Sequence, residues 1–262
     1  MSTIGFIGAG NMGFALARSL QEAGLAPRIA VFDPVAERCT LFERELTGVT
    51  VAGDAGTVCR DAEATFLAVK PQDVQAATAA AAGSDALIIS ILAGVSLADL
   101  GARLPRARLV RVMPNTPCLV GAMAAGYAAA EGVGSGDRAL VTRLLAAAGV
   151  AIEVPEEQLD AVTGLSGSGP AYFARFIEWL SAAGVQQGLA PDVAAALSVQ
   201  TALGTALLMQ RQEMAPAALV DMVSSPGGTT VAGRRELEAG AVQAALERTV
   251  AAATARSREL GA

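Results

Sequence analysis

From Thr3 to Val154 short apolar runs alternate with helical stretches, and no other feature of this sequence narrows the fold so far. The runs Thr3–Ile7, Ile29–Asp33, Val49–Ala52, Ala64–Val69, Ala86–Leu92 and Leu109–Met113 are nearly continuous in aliphatic and small residues. Strands of that kind are buried on both faces. Between them Asn11–Ala23, Val35–Leu46, Gln72–Ala82 and Leu97–Leu104 read as helices, with Gly24 stopping the first and Ser96 capping the last. The β-α-β order predicts an α/β fold with a mainly parallel sheet and helices on both faces. Ala122–Ala130, Arg138–Ala148 and Val150–Val154 extend it.

After Pro155 strand signals stop and long helical stretches take over. Two domains are therefore expected: an α/β domain over 1–155 and an all-α domain over 156–262. Pro170–Ala183 places Phe173, Phe176, Ile177 and Leu180 at helical spacing. Pro191–Arg211 is apolar on almost every face, so as a helix it must be covered all round. The tail alone has too little material for that, and a second chain is the expected cover. Ala215–Val223 and Thr230–Glu259 complete the helical half.

Composition then removes whole classes of chemistry. The 262 residues are 53% hydrophobic but only 4% aromatic, because alanine supplies the difference. The mean hydropathy of +0.46 thus reflects small side chains that fit between close helices. No uninterrupted apolar run is long enough to predict a transmembrane helix, and with no basic segment ahead of an apolar one at its start no secretory signal is expected. A cytoplasmic protein with no membrane partner is expected. A net charge of −6 argues against nucleic acid, whose phosphates call for a basic face. There is no histidine, which removes imidazole acids, bases and metal ligands; no metal site is expected. Cys39, Cys59 and Cys118 are widely spaced and odd in number, as in a reducing compartment. The chemistry must come from a cofactor, hydroxyls, carboxylates, lysine or backbone dipoles.

Gly8-Ala9-Gly10-Asn11-Met12-Gly13 fits G-x-G-x-x-G between an apolar strand and a helix. Gly8 permits the tight turn, Gly10 lets backbone approach a diphosphate, and Gly13 lets helix and strand pack. The phosphates would sit on the helix N-terminus. Asp33 ends the second strand about twenty residues on, where a carboxylate can accept from a ribose hydroxyl and favour NAD. Asp33-Pro34 is equally an ordinary turn pair, so the choice between NADH and NADPH stays open. Ala68-Val69-Lys70-Pro71, Leu92-Ala93-Gly94 and Met113-Pro114-Asn115 also end strands, where open α/β sheets line their ligand crevice. Lys70 reads either as a cofactor contact or as a solvated turn residue. Thr163-Gly164-Leu165-Ser166-Gly167-Ser168-Gly169-Pro170 leads into a long helix and reads first as a tight cap. Ser224-Ser225-Pro226-Gly227-Gly228-Thr229-Thr230 feeds another helix. It offers free N–H groups and hydroxyls without a cation, a neutral nest for a small carboxylate.

Taken in order, GFIGAGNM at 5–12, FLAVKPQ at 66–72, RVMPNTP at 111–117, DAVTGLSGSGPAYF at 160–173 and SSPGGTT at 224–230 resemble the pyrroline-5-carboxylate reductases nearly end to end. The resemblance implies reduction of 1-pyrroline-5-carboxylate to L-proline by NADPH or NADH, the last step of proline biosynthesis. It implies a Rossmann-type N-terminal domain and a helical C-terminal dimerisation domain, with homodimers that assemble further, commonly into decamers. It places the dinucleotide on Ile7, Gly8, Ala9, Gly10, Asn11 and Met12, on Ala68, Val69, Lys70 and Pro71, and near Leu92 and Ala93. It places the substrate carboxylate on Ser225, Gly227, Gly228, Thr229 and Thr230, with Thr230 as the catalytic hydroxyl at the ring nitrogen and Glu156 as a further substrate contact. Asp33-Pro34 departs from the Ser, Asn or Arg often found at that strand end. Another Rossmann oxidoreductase, acting on a small carboxylate-bearing imine or hydroxyacid, is the nearest alternative. Hydroxyacid dehydrogenases of that design need a lysine in the helical half, and the only lysine here is Lys70.

Overall fold

The computed structural model describes residues 2–261. Its elements run β1 (Thr3–Ile7), α1 (Asn11–Glu22), β2 (Arg28–Phe32), α2 (Ala36–Glu45), β3 (Val49–Val51), α3 (Ala55–Asp61) and β4 (Ala64–Leu67). They continue with α4 (Val74–Ala79), β5 (Leu87–Ser90), α5 (Leu97–Arg103), β6 (Arg108–Met113), β7 (Met123–Ala129), α6 (Ser135–Ala146) and β8 (Gly149–Glu153). The rest is helical: α7 (Leu159–Val162), α8 (Gly169–Gln186), α9 (Pro191–Arg211), α10 (Pro216–Met222), α11 (Thr229–Ala239) and α12 (Val242–Leu260).

The eight strands form one sheet in the order β3-β2-β1-β4-β5-β6-β7-β8. Neighbours are parallel except β6 and β7, which are antiparallel, so β7 and β8 run against the other six. Successive residues of the central strands point to opposite faces and both are buried. Phe6 and Phe66 belong to one core, and Ile7 and Leu67 to the other. That is the physical content of a strand with no polar alternation: helices cover both sides. The scarce aromatics are concentrated in the first core, where Phe6 stacks on Phe66 with ring centroids 5.2 Å apart and Phe42 lies 5.7 Å from Phe6. Each such fully buried ring contributes roughly 1.5–3 kcal/mol.

Local chemistry sets the helix ends. Gly24 takes φ +70° just past α1, where a side chain would be strained. Ser96 and Asp99 form a reciprocal capping box on α5. Helix α3 is not among the elements expected from the sequence; its start is marked by Asp54 accepting the Thr57 N–H at 2.6 Å, and that bond holds the Asp54 carboxyl below its ordinary pKa. The stretch expected to be helical over Thr230–Glu259 holds two helices, α11 and α12, separated by Gly240 and by Ala241 at φ +49°.

By compactness the chain divides into two units, one of residues up to 168 together with those from 251 on, the other of residues 169–250. Strand signals stop at residue 155, yet residues 156–168 stay packed on β6 and β7. A Cβ on Gly126 would stand 2.7 Å from Val162 Cγ2, and one on Gly167 would stand 2.7 Å from Met113 Cε. In the second unit α8 and α9 lie side by side. Helix α9 is long and apolar enough to cross a membrane, although no transmembrane helix is expected from the sequence; only 6% of its most apolar window is buried within one chain. Leu197, Val199 and Leu203 on it are half exposed, as are Trp179 and Leu180 on α8.

Candidate active site

The residues expected to hold a dinucleotide gather at the carboxyl ends of β1, β2, β4 and β5, which are neighbours in the sheet. Gly8 follows β1 at φ +100°, and a Cβ there would stand 2.7 Å from the Ala68 carbonyl. Only glycine fits both constraints. The Gly8 N–H donates to the Phe32 carbonyl at 2.7 Å. Gly10 is the N-cap of α1 and has no side-chain cap. A Cβ on it would meet nothing within 4 Å among the described residues, so the surface above the helix start is open to an anion. The first-turn amides of α1 have no intrahelical acceptor, and the helix dipole adds to their pull. A Cβ on Gly13 would stand 3.0 Å from the Gly8 carbonyl oxygen, which is the close packing the motif requires. These features fit a diphosphate.

Ala68 is half-buried after β4, Lys70 is exposed, and Pro71 opens a short 3₁₀ turn closed by the Asp73 N–H donating to the Lys70 carbonyl at 2.9 Å. Leu92 is buried and Ala93 exposed, so this loop offers backbone and a small side chain to a ligand. Asp33 is buried, with both carboxylate oxygens bonded to backbone amides. Glu156 is placed in the first unit. Its Oε1 accepts the Leu97 N–H at 2.7 Å and Arg111 Nη1 at 3.1 Å. The carboxylate therefore serves as the anion at the N-terminus of α5.

Asn115 is a residue whose role the sequence did not disclose. It is 7% exposed. Its Nδ2 donates to the Ser166 carbonyl at 3.0 Å, and its Oδ1 accepts the Ala124 N–H at 2.9 Å. It ties the RVMPNTP segment to the TGLSG turn, which is π-helical over Thr163–Gly167. Such turns are frequent at functional sites. The signal available was the position of Asn115 at a strand end beside two prolines.

The second unit carries the other expected site. Gly227 adopts φ +71°, and the Gly228 N–H closes the turn on the Ser225 carbonyl at 2.9 Å. A Cβ on Gly228 would stand 2.6 Å from Ser225 Oγ. Gly228 is the N-cap of α11 and again lacks a side-chain cap. The amides of Thr229, Thr230 and Val231 therefore open the helix without intrahelical partners. The Ser224 hydroxyl is buried with no hydrogen-bond partner among the described residues. Ser225, Gly227 and Thr229 are exposed and Thr230 half-buried. No cationic side chain lies in this loop. The arrangement suits a small carboxylate held by N–H and O–H groups.

Comparison with known proteins agrees with both halves. Residues 156–260 match the family described as pyrroline-5-carboxylate reductase dimerisation, and residues 3–94 match the family described as NADP oxidoreductase coenzyme F420-dependent. A pyrroline-5-carboxylate reductase of Synechocystis sp. is 43% identical over 98% of both chains. The structure of such a reductase from Coxiella burnetii superposes with a TM-score of 0.94 at 34% identity, covering 100% of this chain and 99% of that one. The Plasmodium falciparum pyrroline carboxylate reductase, solved with NADP bound, gives a TM-score of 0.84 at 29% identity over 100% and 98% of the two chains. A likeness of this identity that runs through both units and spans nearly the whole length of each relative has one reading: the chain belongs to the pyrroline-5-carboxylate reductase family.

Proposed function

We propose that this protein reduces 1-pyrroline-5-carboxylate to L-proline with NADPH or NADH. The observation that carries the reading is the cation-free nest at the start of α11, in a chain whose first unit carries an open diphosphate loop. Residues Ile7–Met12, Ala68–Pro71, Leu92 and Ala93 hold the dinucleotide, which when bound supplies the hydride. Ser225, Gly227, Gly228 and Thr229 hold the substrate carboxylate, and the Thr230 hydroxyl meets the ring nitrogen. Glu156 supports the site by holding the start of α5.

The substrate is a cyclic imine. Protonated at nitrogen, its C=N carbon is already a strong electrophile, so no imidazole acid is needed. Hydride adds to C5, the C=N π pair moves to nitrogen, and a secondary amine results. The chain's own contribution is placement: aligning two bound reactants supplies on the order of 7–11 kcal/mol. The homo-oligomer supported by the dimerisation family covers the apolar faces of α8 and α9. We read it as a homodimer that assembles further into decamers in the cytoplasm, without membrane or nucleic-acid partners. Following NADPH absorbance with pyrroline-5-carboxylate, and proline by mass spectrometry, tests the activity. Equimolar proline is expected, and no proline with either dinucleotide overturns it.

A further inference from the structure

Asp33 occupies the place from which an acidic residue usually reaches the adenosine ribose, and the geometry gives it a different task. Its side chain is 4% exposed. Oδ2 accepts the Ala9 N–H and Oδ1 accepts the Val35 N–H, each at 2.9 Å. Ala9 lies inside the glycine loop. Strands β1 and β2 are adjacent and parallel, with Ile7 opposite Phe32, and the Gly8 N–H donates to the Phe32 carbonyl. Two successive loop amides, Gly8 and Ala9, are thus tied to two successive residues, Phe32 and Asp33. The second tie is a charge-assisted bond in a buried setting, the stronger kind. Turning the carboxylate toward a ribose would break it and leave the Ala9 N–H unsatisfied.

The exposed charge at this corner has the opposite sign. Arg38 Nη1 lies 3.5 Å from Asp33 Oδ1, and its side chain is 50% exposed. Seen from solvent, the end of β2 presents a guanidinium.

We propose that Asp33 is a positioning residue that pins the diphosphate loop to β2, and that it does not accept from the adenosine ribose. A 2′-phosphate then meets Arg38 rather than an open carboxylate, so NADPH is admitted despite the acidic residue. The proposal rests on the use of NAD(P)H argued above.

A ligand-side test needs no variant. The wild-type protein is titrated calorimetrically with NADH and with its 2′-deoxyadenosine analogue. Equal affinities within about threefold are expected, and a loss of tenfold or more overturns the proposal. Asp33→Asn supplies the second arm, since its amide group opposes one of the two backbone N–H donors. NADH and NADPH affinities should fall by the same factor, about tenfold or more. Amide exchange at Ala9 in the ligand-free protein should speed up in the same variant. Weaker NADH binding with unchanged or tighter NADPH binding would restore the ribose role and overturn the proposal alone. Binding of neither dinucleotide by the wild type would overturn the oxidoreductase reading and this assignment together.

Discussion

Replacing Asn115 by alanine should loosen the junction between β7 and the turn that precedes α8. The side chain satisfies the Ala124 N–H and the Ser166 carbonyl at once, at 2.9 and 3.0 Å. Alanine satisfies neither. A backbone group left unpaired in a buried place costs about 1–3 kcal/mol. Ala124 and Ser166 are themselves half-buried, so water reaches them in part and the lower half of that range applies. Two groups then give about 2–4 kcal/mol. In a unit of this size each kcal/mol moves the midpoint by about 2–4 °C, so Asn115→Ala should melt roughly 4–16 °C lower. Far-UV circular dichroism measures the midpoint, and amide exchange at Ala124 locates the damage. A midpoint within a degree of wild type, with Ala124 exchange unchanged, would refute the reasoning.

Thr230→Val keeps the shape of the side chain and removes its hydroxyl; kcat should fall about tenfold or more, the scale of one directed hydrogen bond, as steady-state rates at saturating dinucleotide would show. Burial raises the thiols of Cys39 and Cys59, and brings Cys118 to about 11. The folded chain therefore holds these protons more tightly than the unfolded chain. The resulting stability is complete below about pH 9 and is lost as pH rises toward 11, which urea melts at stepped pH would follow. Leu203→Glu places a charge on the half-exposed apolar face of α9. Sedimentation should show the dissociation constant of the homo-oligomer raised on the order of a hundredfold or more.

What was legible in the chain was what depends on near neighbours. Strand and helix alternation, the strain-tolerant Gly8 and Gly24, and the cap at Ser96 all follow from the pattern within a few residues. The loops that open α1 and α11 were legible for the same reason, because each is built from consecutive small residues. The break between α11 and α12 was only half marked: Gly240 is the C-cap of α11, but the positive φ falls on Ala241, a residue whose type carries no turn signal.

The sequence by itself determined the α/β-then-α order, the two glycine-bearing loops that open α1 and α11, and the apolar character of α9 on nearly every face. Only the tertiary structure decided what the long-range polar side chains do. Asp33 meets Ala9 across 24 residues, Asn115 meets Ser166 across 51, and Glu156 meets Leu97 across 59. A hydrogen bond is set by direction and burial at both of its ends, and a one-dimensional pattern specifies only one of them.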